Sequence, residues 1–388
     1  MNKIKSIVCG IVFFLGITLY TQTVYAQDAF EELQAPSMIL MEASTGKVIY
    51  EREADVELSP ASITKLMTLY LIFEELEAGK IRLDDEVVTS AYAKSMGGSQ
   101  VFLEEGEIQT VDTLLKCISV ASGNDACVAM AEYISGSEEE FVNLMNETAK
   151  TIGMNHSHFV DCCGLSDSDE HYMSAKDVAF IARELIVKHP QIYDYSQIWM
   201  EDITHTTKKG SSTFTLANTN KLLKQYEYAT GLKTGSTDKA KYCFCGTAQK
   251  DGMNLIAVVM AAPDFKERFS DAQTLLEYGF NTCSIYKDSV PLDDTDLVVE
   301  GALQDSVVVN SKQEFVYLNT NKDEGSAITK EVVLPEKIEA PVKQGDVAGV
   351  VKYIQDGIEI GMADIVFSEN VAKATYGDCI KRIMEIAF

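Results

Sequence analysis

The stretch that most limits what this chain can fold into is Ser59-Pro60-Ala61-Ser62-Ile63-Thr64-Lys65 and the apolar run behind it, Leu66-Met67-Thr68-Leu69-Tyr70-Leu71-Ile72-Phe73. The run is hydrophobic almost all round, so as a helix it must sit at the centre of a domain with other elements on every side. Ser59 is a favoured N-cap and Pro60 a favoured first helical residue, and Gly79 is a suitable stop. That count puts Ser62 in the first turn, where backbone N–H groups lack partners and the positive end of the helix dipole lies. A serine there has donors suited to a developing oxyanion beside its own hydroxyl. Lys65, three residues on, shares its face. A lysine at the head of a buried helix is partly desolvated, which favours the neutral amine that can act as a base. The pair predicts a serine nucleophile activated by lysine. The spacing alone is cheap, since Ser-x-x-Lys also occurs at Ser44/Lys47, Ser236/Lys239 and Ser284/Lys287.

The whole chain narrows the choice. Its 388 residues suffice for two or three domains with substantial cores, and 46% hydrophobic with 24% charged residues is ordinary globular composition. The formal charge of −26 repels phosphate backbones and argues against nucleic-acid binding. Residues 1–26 read as a signal peptide: Lys3 and Lys5, an apolar run from Ile7 to Leu15, then Val24-Tyr25-Ala26 as a cleavage site. An uncleaved membrane anchor is the alternative, and either places the body of the protein outside the cytoplasm. Nine cysteines are present, and removing Cys9 leaves an even number. Their spacing matches no disulfide framework, and a chain this size needs none. Cys243 and Cys245 read as core residues on one face of a strand. His156-Ser157-His158 reads as a surface loop, and no metal site or cofactor is expected.

Met38–Met41 and Lys47–Glu51 flank Ala43-Ser44-Thr45-Gly46 and predict a hairpin. Residues 81–110 are short polar and Gly-rich pieces. A helix is expected over Val111–Ala121, broken by Ser122-Gly123-Asn124-Asp125, and another from Ala126 to Ile134 with Asn124 or Asp125 as cap. In isolation that link is simply a polar turn. Further helices are expected over Phe141–Ile152 and from Ser174, with Asp177 completing a variant capping box, to about Val187. Residues 155–169 read as loop and 190–225 as mixed. Thr230-Gly231-Leu232-Lys233-Thr234-Gly235-Ser236-Thr237 suits an edge strand that another backbone approaches closely, along which a substrate can lie as an added strand. Strands over Tyr242–Ala248 and Leu255–Ala261 join at Lys250-Asp251-Gly252, and a helix over Phe269–Phe280 packs on the sheet. From Ser284 short β-branched runs predict an all-β sandwich of residues 284–368. In residues 369–388, Ile380, Ile383, Met384 and Ala387 at helical spacing form an amphipathic helix that either lies on a membrane surface or covers the β domain.

Ser62-x-x-Lys65, Ser122-Gly123-Asn124 and Lys233-Thr234-Gly235 stand in one order, and together they match a known motif set. With Ser174-Ala175-Lys176-Asp177, the Asn155–Leu165 loop and the trailing β domain, the chain resembles the low-molecular-weight penicillin-binding proteins, the serine D-alanyl-D-alanine carboxypeptidases. The resemblance implies an α/β (α+β) catalytic domain of the serine β-lactamase/DD-peptidase type over 27–283, with a five-stranded antiparallel sheet flanked by helices. It implies that Ser62 forms an acyl-enzyme with a peptidoglycan stem peptide ending in D-Ala-D-Ala, and with β-lactam antibiotics. Lys65 is then the base, Ser122 helps protonate the departing D-alanine, and Asn124 holds the substrate amide. Lys233 and Thr234 of the Lys233-Thr234-Gly235 strand bind the terminal carboxylate, and the N–H groups of Ser62 and Ser236 form the oxyanion hole. Some relatives carry histidine where this chain has Ser236, which a backbone role tolerates.

Two rival readings remain at this level. A secreted serine β-lactamase shares fold and acylation, but the Glu-x-x-Leu-Asn string of the class A enzymes is missing and those enzymes lack such a β domain. An inactive wall-binding protein is the other, against which the intact motifs argue.

Overall fold

The computed structural model describes residues 30–208, 210–311, 313–321 and 327–387. The expected signal peptide and its cleavage site lie outside them. Two compact units emerge: residues up to Leu40 with Tyr50–Thr247 and Ile256–Leu275, and a second of Met41–Ile49, Ala248–Leu255 and Leu276–Phe388.

Strands β1 (Ser37–Glu42) and β2 (Val48–Arg52) form the expected hairpin. Strand β1 is buried along its whole length, while β2 is partly exposed, as an edge strand should be. Next come a 3-10 turn over Ala61–Thr64 and helix α1 (Lys65–Glu77), buried from Lys65 to Phe73. Helix α2 (Val111–Val120) starts at Thr110, whose hydroxyl accepts the N–H of Thr113 at 3.2 Å. Helices α3 (Asn124–Ser135) and α4 (Glu138–Thr151) meet at Gly136, which ends α3 at φ 82°. Ser174 caps α5 (Ala175–Lys188) by accepting from Asp177 N–H at 3.1 Å. The Asp177 carboxylate does not return to the cap. It takes His156 N–H at 2.7 Å and the Ser157 hydroxyl at 2.8 Å instead, which fastens the loop before the helix.

The segment read as mixed contains a hairpin of β3 (Met200–Thr207) and β4 (Gly210–Ala217). Strands β5 (Ala229–Thr237), β6 (Lys241–Lys250) and β7 (Met253–Ala262) follow, then α6 (Glu267–Thr282). The five-stranded antiparallel sheet has the order β2-β1-β7-β6-β5, so β5 is an edge strand as predicted. Cys243 and Cys245 are buried on β6, and Phe244 meets Phe269 of α6 edge-on with centroids 4.9 Å apart. Residues 81–110 hold short elements that the polar composition hid, including a strand pair Glu86–Val88 with Ile108–Thr110. A two-residue strand pair also closes the 155–169 loop, Ser157–His158 against Tyr172–Met173.

In the second unit β8 (Ser284–Asp288) pairs with β11 (Phe315–Asn319). A six-stranded sheet contains β9 (Thr295–Glu300), β10 (Ser306–Asn310), β12 (Thr329–Val333), β13 (Lys337–Glu339), β14 (Val347–Gln355) and β15 (Ile358–Phe367), in the order β12-β14-β15-β10-β9-β13. Phe315 stacks flat on Tyr353 in a core completed by Val307, Val309, Val351 and Ile365. The Tyr353 hydroxyl reaches the Asp288 carboxylate at 2.7 Å, so the aromatic core has a satisfied polar end. Helix α7 (Tyr376–Ala387) is fastened by Arg382, which donates to the Asp305 carboxylate at 2.8 and 3.0 Å and to Leu303 O at 2.8 Å. Its apolar stripe points outward: Ile380 is 44%, Ile383 65% and Met384 58% exposed. The stripe therefore leaves the β domain uncovered, which removes one of the two expectations for this helix. Among the described residues no helix is long and apolar enough to cross a membrane.

Candidate active site

Ser62 sits in the 3-10 turn rather than in the first turn of an α-helix. Ser59 does not cap it: Pro60 occupies the N-cap position, without a side-chain cap bond, and α1 begins only at Lys65. Tertiary contacts override the local signal. Ala61 is held at φ 48°. A Cβ on Gly235 of β5 would lie 2.6 Å from Pro60 O, and one on Gly164 only 1.8 Å from Ala61 O. Two glycine backbones thus clamp the turn from either side, which is what a position without a side chain permits. The tighter turn also serves the pair, because side chains three apart eclipse in a 3-10 helix.

Lys65 is fully buried and its Nζ has three partners: Ser62 Oγ at 3.0 Å, Asn124 Oδ1 at 2.6 Å and Cys163 O at 2.7 Å. Asn124 is oriented in turn, donating Nδ2 to Gly97 O at 2.7 Å. Asn124 is the first residue of α3 and Gly123 its N-cap, so the helix starts two residues earlier than expected. The Asp125 carboxylate, freed from capping, instead accepts the N–H groups of Val101 and Leu103. Ser122, at φ 59°, turns its hydroxyl towards β5, where Lys233 Nζ donates to it at 2.8 Å.

Lys233 is 1% exposed. Burial first, and the nearby Lys65 second, hold its amine well below the ordinary lysine value of 10.5. Its neighbour Thr234 donates to the Thr219 hydroxyl at 2.7 Å. Gly235 lies against the 3-10 turn, and Ser236 is exposed just beyond it on β5. The structure therefore brings these residues together as two hydrogen-bonded sets, Ser62 with Lys65 and Asn124, and Ser122 with Lys233 and Thr234, joined through the chain between Ser122 and Asn124, with Gly235 and Ser236 following on β5.

Several contributors escape the motif reading. The Cys163 carbonyl holds Lys65, and the turn that presents it is fastened by Asp161, whose carboxylate accepts Cys163 N–H at 2.8 Å and Ser166 N–H at 2.7 Å. Burial would push the Asp161 carboxyl up, but the facing His171 and the N–H groups of Ser166, Cys163 and Gly164 outweigh it and hold it low. Thr219 and Asn220 also serve β5, Asn220 Nδ2 donating to Gly231 O at 2.9 Å. The run Asn218-Thr219-Asn220 was the available signal, since three polar residues before an apolar turn need buried partners. All eight described cysteines are free thiols.

This sheet with flanking helices, and a serine hydroxyl bonded to a buried lysine at its rim, place the chain in the serine β-lactamase/DD-peptidase class. Residues 21–264 match the family described as D-alanyl-D-alanine carboxypeptidase, peptidase S11, and residues 280–373 match the penicillin-binding protein 5 C-terminal domain. The chain belongs to the D-alanyl-D-alanine carboxypeptidase family, and it is an enzyme of that family. It is 39% identical over 354 residues to D-alanyl-D-alanine carboxypeptidase DacF of Bacillus subtilis, covering 90% of this chain and 89% of that one. It is 32% identical over 365 residues to DacA of Escherichia coli K12, covering 89% and 85%. The crystal structure of penicillin-binding protein 5 from Haemophilus influenzae superposes with a TM-score of 0.75 at 30% identity, covering 88% of this chain and 98% of that one.

Proposed function

We propose that this protein trims peptidoglycan stem peptides outside the cytoplasm, removing the terminal D-alanine through an acyl-enzyme on Ser62. The observation that carries the assignment is the set of partners around Lys65. Lys65 Nζ donates to Ser62 Oγ at 3.0 Å, to Asn124 Oδ1 at 2.6 Å and to Cys163 O at 2.7 Å, so the amine lies against the hydroxyl whose proton a base must take. Attack of Ser62 Oγ on the penultimate D-alanine carbonyl sends the hydroxyl proton to Lys65. The oxyanion is received by the N–H groups of Ser62 and Ser236, donors worth roughly 3 kcal/mol each in comparable sites. Ser122, held by Lys233, relays that proton from Lys65 to the departing D-alanine amine, which returns Lys65 to the form that activates water. Lys233 and Thr234 take its carboxylate, and Asn124 steadies the substrate amide. Water, activated by Lys65, then releases the shortened peptide. β-Lactams acylate the same serine because they present a carbonyl and a carboxylate in the same relation.

Release of free D-alanine from a stem-peptide mimic ending in D-Ala-D-Ala tests this reading. The wild type releases it and Ser62→Ala does not; silence from the wild type refutes the assignment. Residues 1–26 act as the export signal, 27–283 as the catalytic domain, and 284–368 as a separate β domain carrying the 369–388 helix. The outward stripe of α7 contacts the outer face of the cytoplasmic membrane. Its binding to phosphatidylcholine vesicles is driven by apolar burial, so it survives high salt and is lost in Ile383→Glu.

A further inference from the structure

In the chain, Thr64 lies between the nucleophile and its base, and behind it stands a histidine that the chemistry above does not use. Thr64 is fully buried, and its hydroxyl donates to Ala61 O at 2.8 Å. The same oxygen lies 2.8 Å from Nε2 of His171, a residue 1% exposed. On the other side of the ring, Nδ1 accepts Val160 N–H at 3.2 Å. A backbone N–H can only donate, so Nδ1 carries the lone pair and the proton sits on Nε2. Burial holds the imidazole below its ordinary value of 6.5 despite Asp161, 3.8 Å from Nδ1, so the ring is neutral at pH 7. The bonds then run one way: Val160 N–H to the ring, the ring to Thr64, and Thr64 to Ala61 O. Each donor and acceptor of this buried chain is satisfied.

The chain ends where the site is most strained. Ala61, at φ 48°, precedes Ser62, and Thr64 precedes Lys65, so the backbone is pinned one residue before each reacting group. The ring's other anchor, Val160, precedes Asp161, whose carboxylate fastens the turn that offers Cys163 O to Lys65. One imidazole thus joins the turn that carries the nucleophile to the turn that holds the base. Its own place is fixed: its backbone N–H donates to Ser168 O at 3.2 Å, and Phe159 meets it edge-on with centroids 5.9 Å apart. The strand pair of Ser157–His158 with Tyr172–Met173 begins at the next residue.

We infer that His171 is a positioning residue for acyl transfer: through Thr64 it holds the Ala61–Thr64 turn in the form that sets the Ser62 hydroxyl against the Lys65 amine. It touches neither the substrate nor the reacting atoms, and its role rests on the acyl-enzyme reading of Ser62. A strained backbone persists only where its surroundings over-determine it. Without the Nε2 donor one of those constraints is gone, and the turn can relax. A displacement of the nucleophile by about 1 Å is enough to cost about 10²-fold in rate.

The test is the time course of acylation by a nitrocefin-type β-lactam, resolved into non-covalent binding and the acylation step. Thr64→Val and His171→Leu each slow the acylation step by about 10- to 100-fold. Both leave the binding step nearly unchanged and still reach a final yield of one adduct per chain on Ser62. That yield counts folded sites, so a variant that merely unfolds loses yield and not rate. The double variant is no slower than the slower single one, because both cut the same chain. His171→Gln, which keeps an amide N–H near the position of Nε2, recovers most of the rate. Single variants as fast as wild type, additive losses in the double variant, or a Gln variant as slow as Leu would each overturn the role of His171 and leave the acyl-enzyme standing. Wild type that forms no adduct on Ser62 would overturn both.

Discussion

Lys65 and Lys233 are both buried lysines, and their partners separate their tasks. Lys65 faces two carbonyl oxygens and a hydroxyl, and the base role proposed for it uses the hydroxyl contact. Lys233 faces the Ser122 hydroxyl and its neighbour's carbonyl, with no carboxylate among these partners. Replacing Lys65 with Met should slow acylation by a nitrocefin-type β-lactam by about 10²- to 10⁴-fold, the usual reach of a positioned base. For Lys233 the pH sign follows from its lowered value. Between that value and 10.5 the folded chain binds fewer protons than the unfolded one, so the cost of burying this amine shrinks as pH rises. A bound substrate carboxylate reverses the shift. Binding of a D-Ala-D-Ala peptide to Ser62→Ala should therefore take up a fraction of a proton, seen as a buffer-dependent binding enthalpy. Lys233→Met should abolish that uptake and weaken binding on the order of a hundredfold. No uptake in Ser62→Ala would remove Lys233 from the carboxylate site.

At the scale of elements, the 3-10 turn over Ala61–Thr64 governs the site, and it is where local sequence signals misled. Ser59-Pro60 looks like a helix start, yet the α-helix waits until Lys65 because Gly235 and Gly164 press on the turn from elements 170 and 100 residues downstream, in round numbers. Propensity is local and this contact is not. Periodicity did reveal α2, α4 and α5, while the strands of the main sheet, buried on both faces, showed as short apolar runs bounded by turn residues. The segment at 81–110 and the hairpin at 200–217 stayed hidden, since their strands are mostly exposed and carry little apolar pattern. Motif residues were legible by type and order, but the backbone groups that aim them, such as the Cys163 carbonyl, have no side-chain signature. Gly235→Ala puts a Cβ 2.6 Å from Pro60 O and should cost about 1–3 kcal/mol by denaturant unfolding while slowing acylation. Gly164→Ala, at φ 77° and 1.8 Å from Ala61 O, should be worse on both counts. Wild-type acylation by either variant would mean that the clamp on the turn is unimportant.

For the molecule as a whole, the second unit has its own aromatic and β-branched core, and every candidate site residue belongs to the first. A fragment of residues 27–283 should keep the β-lactam acylation rate within a few-fold of the full chain; loss of acylation in a folded fragment would give the β domain a part in the chemistry. The central claim concerns convergence: residues from three distant stretches, Ser62 to Lys65, Ser122 to Asn124 and Lys233 to Ser236, act on one carbonyl. Mass spectrometry of the intact chain after brief penicillin exposure, followed by peptide mapping, tests it most directly. The account predicts a single penicilloyl adduct on Ser62, absent from Ser62→Ala and slow to form in Lys65→Met. An adduct on another residue, or none on the folded wild type, would contradict it.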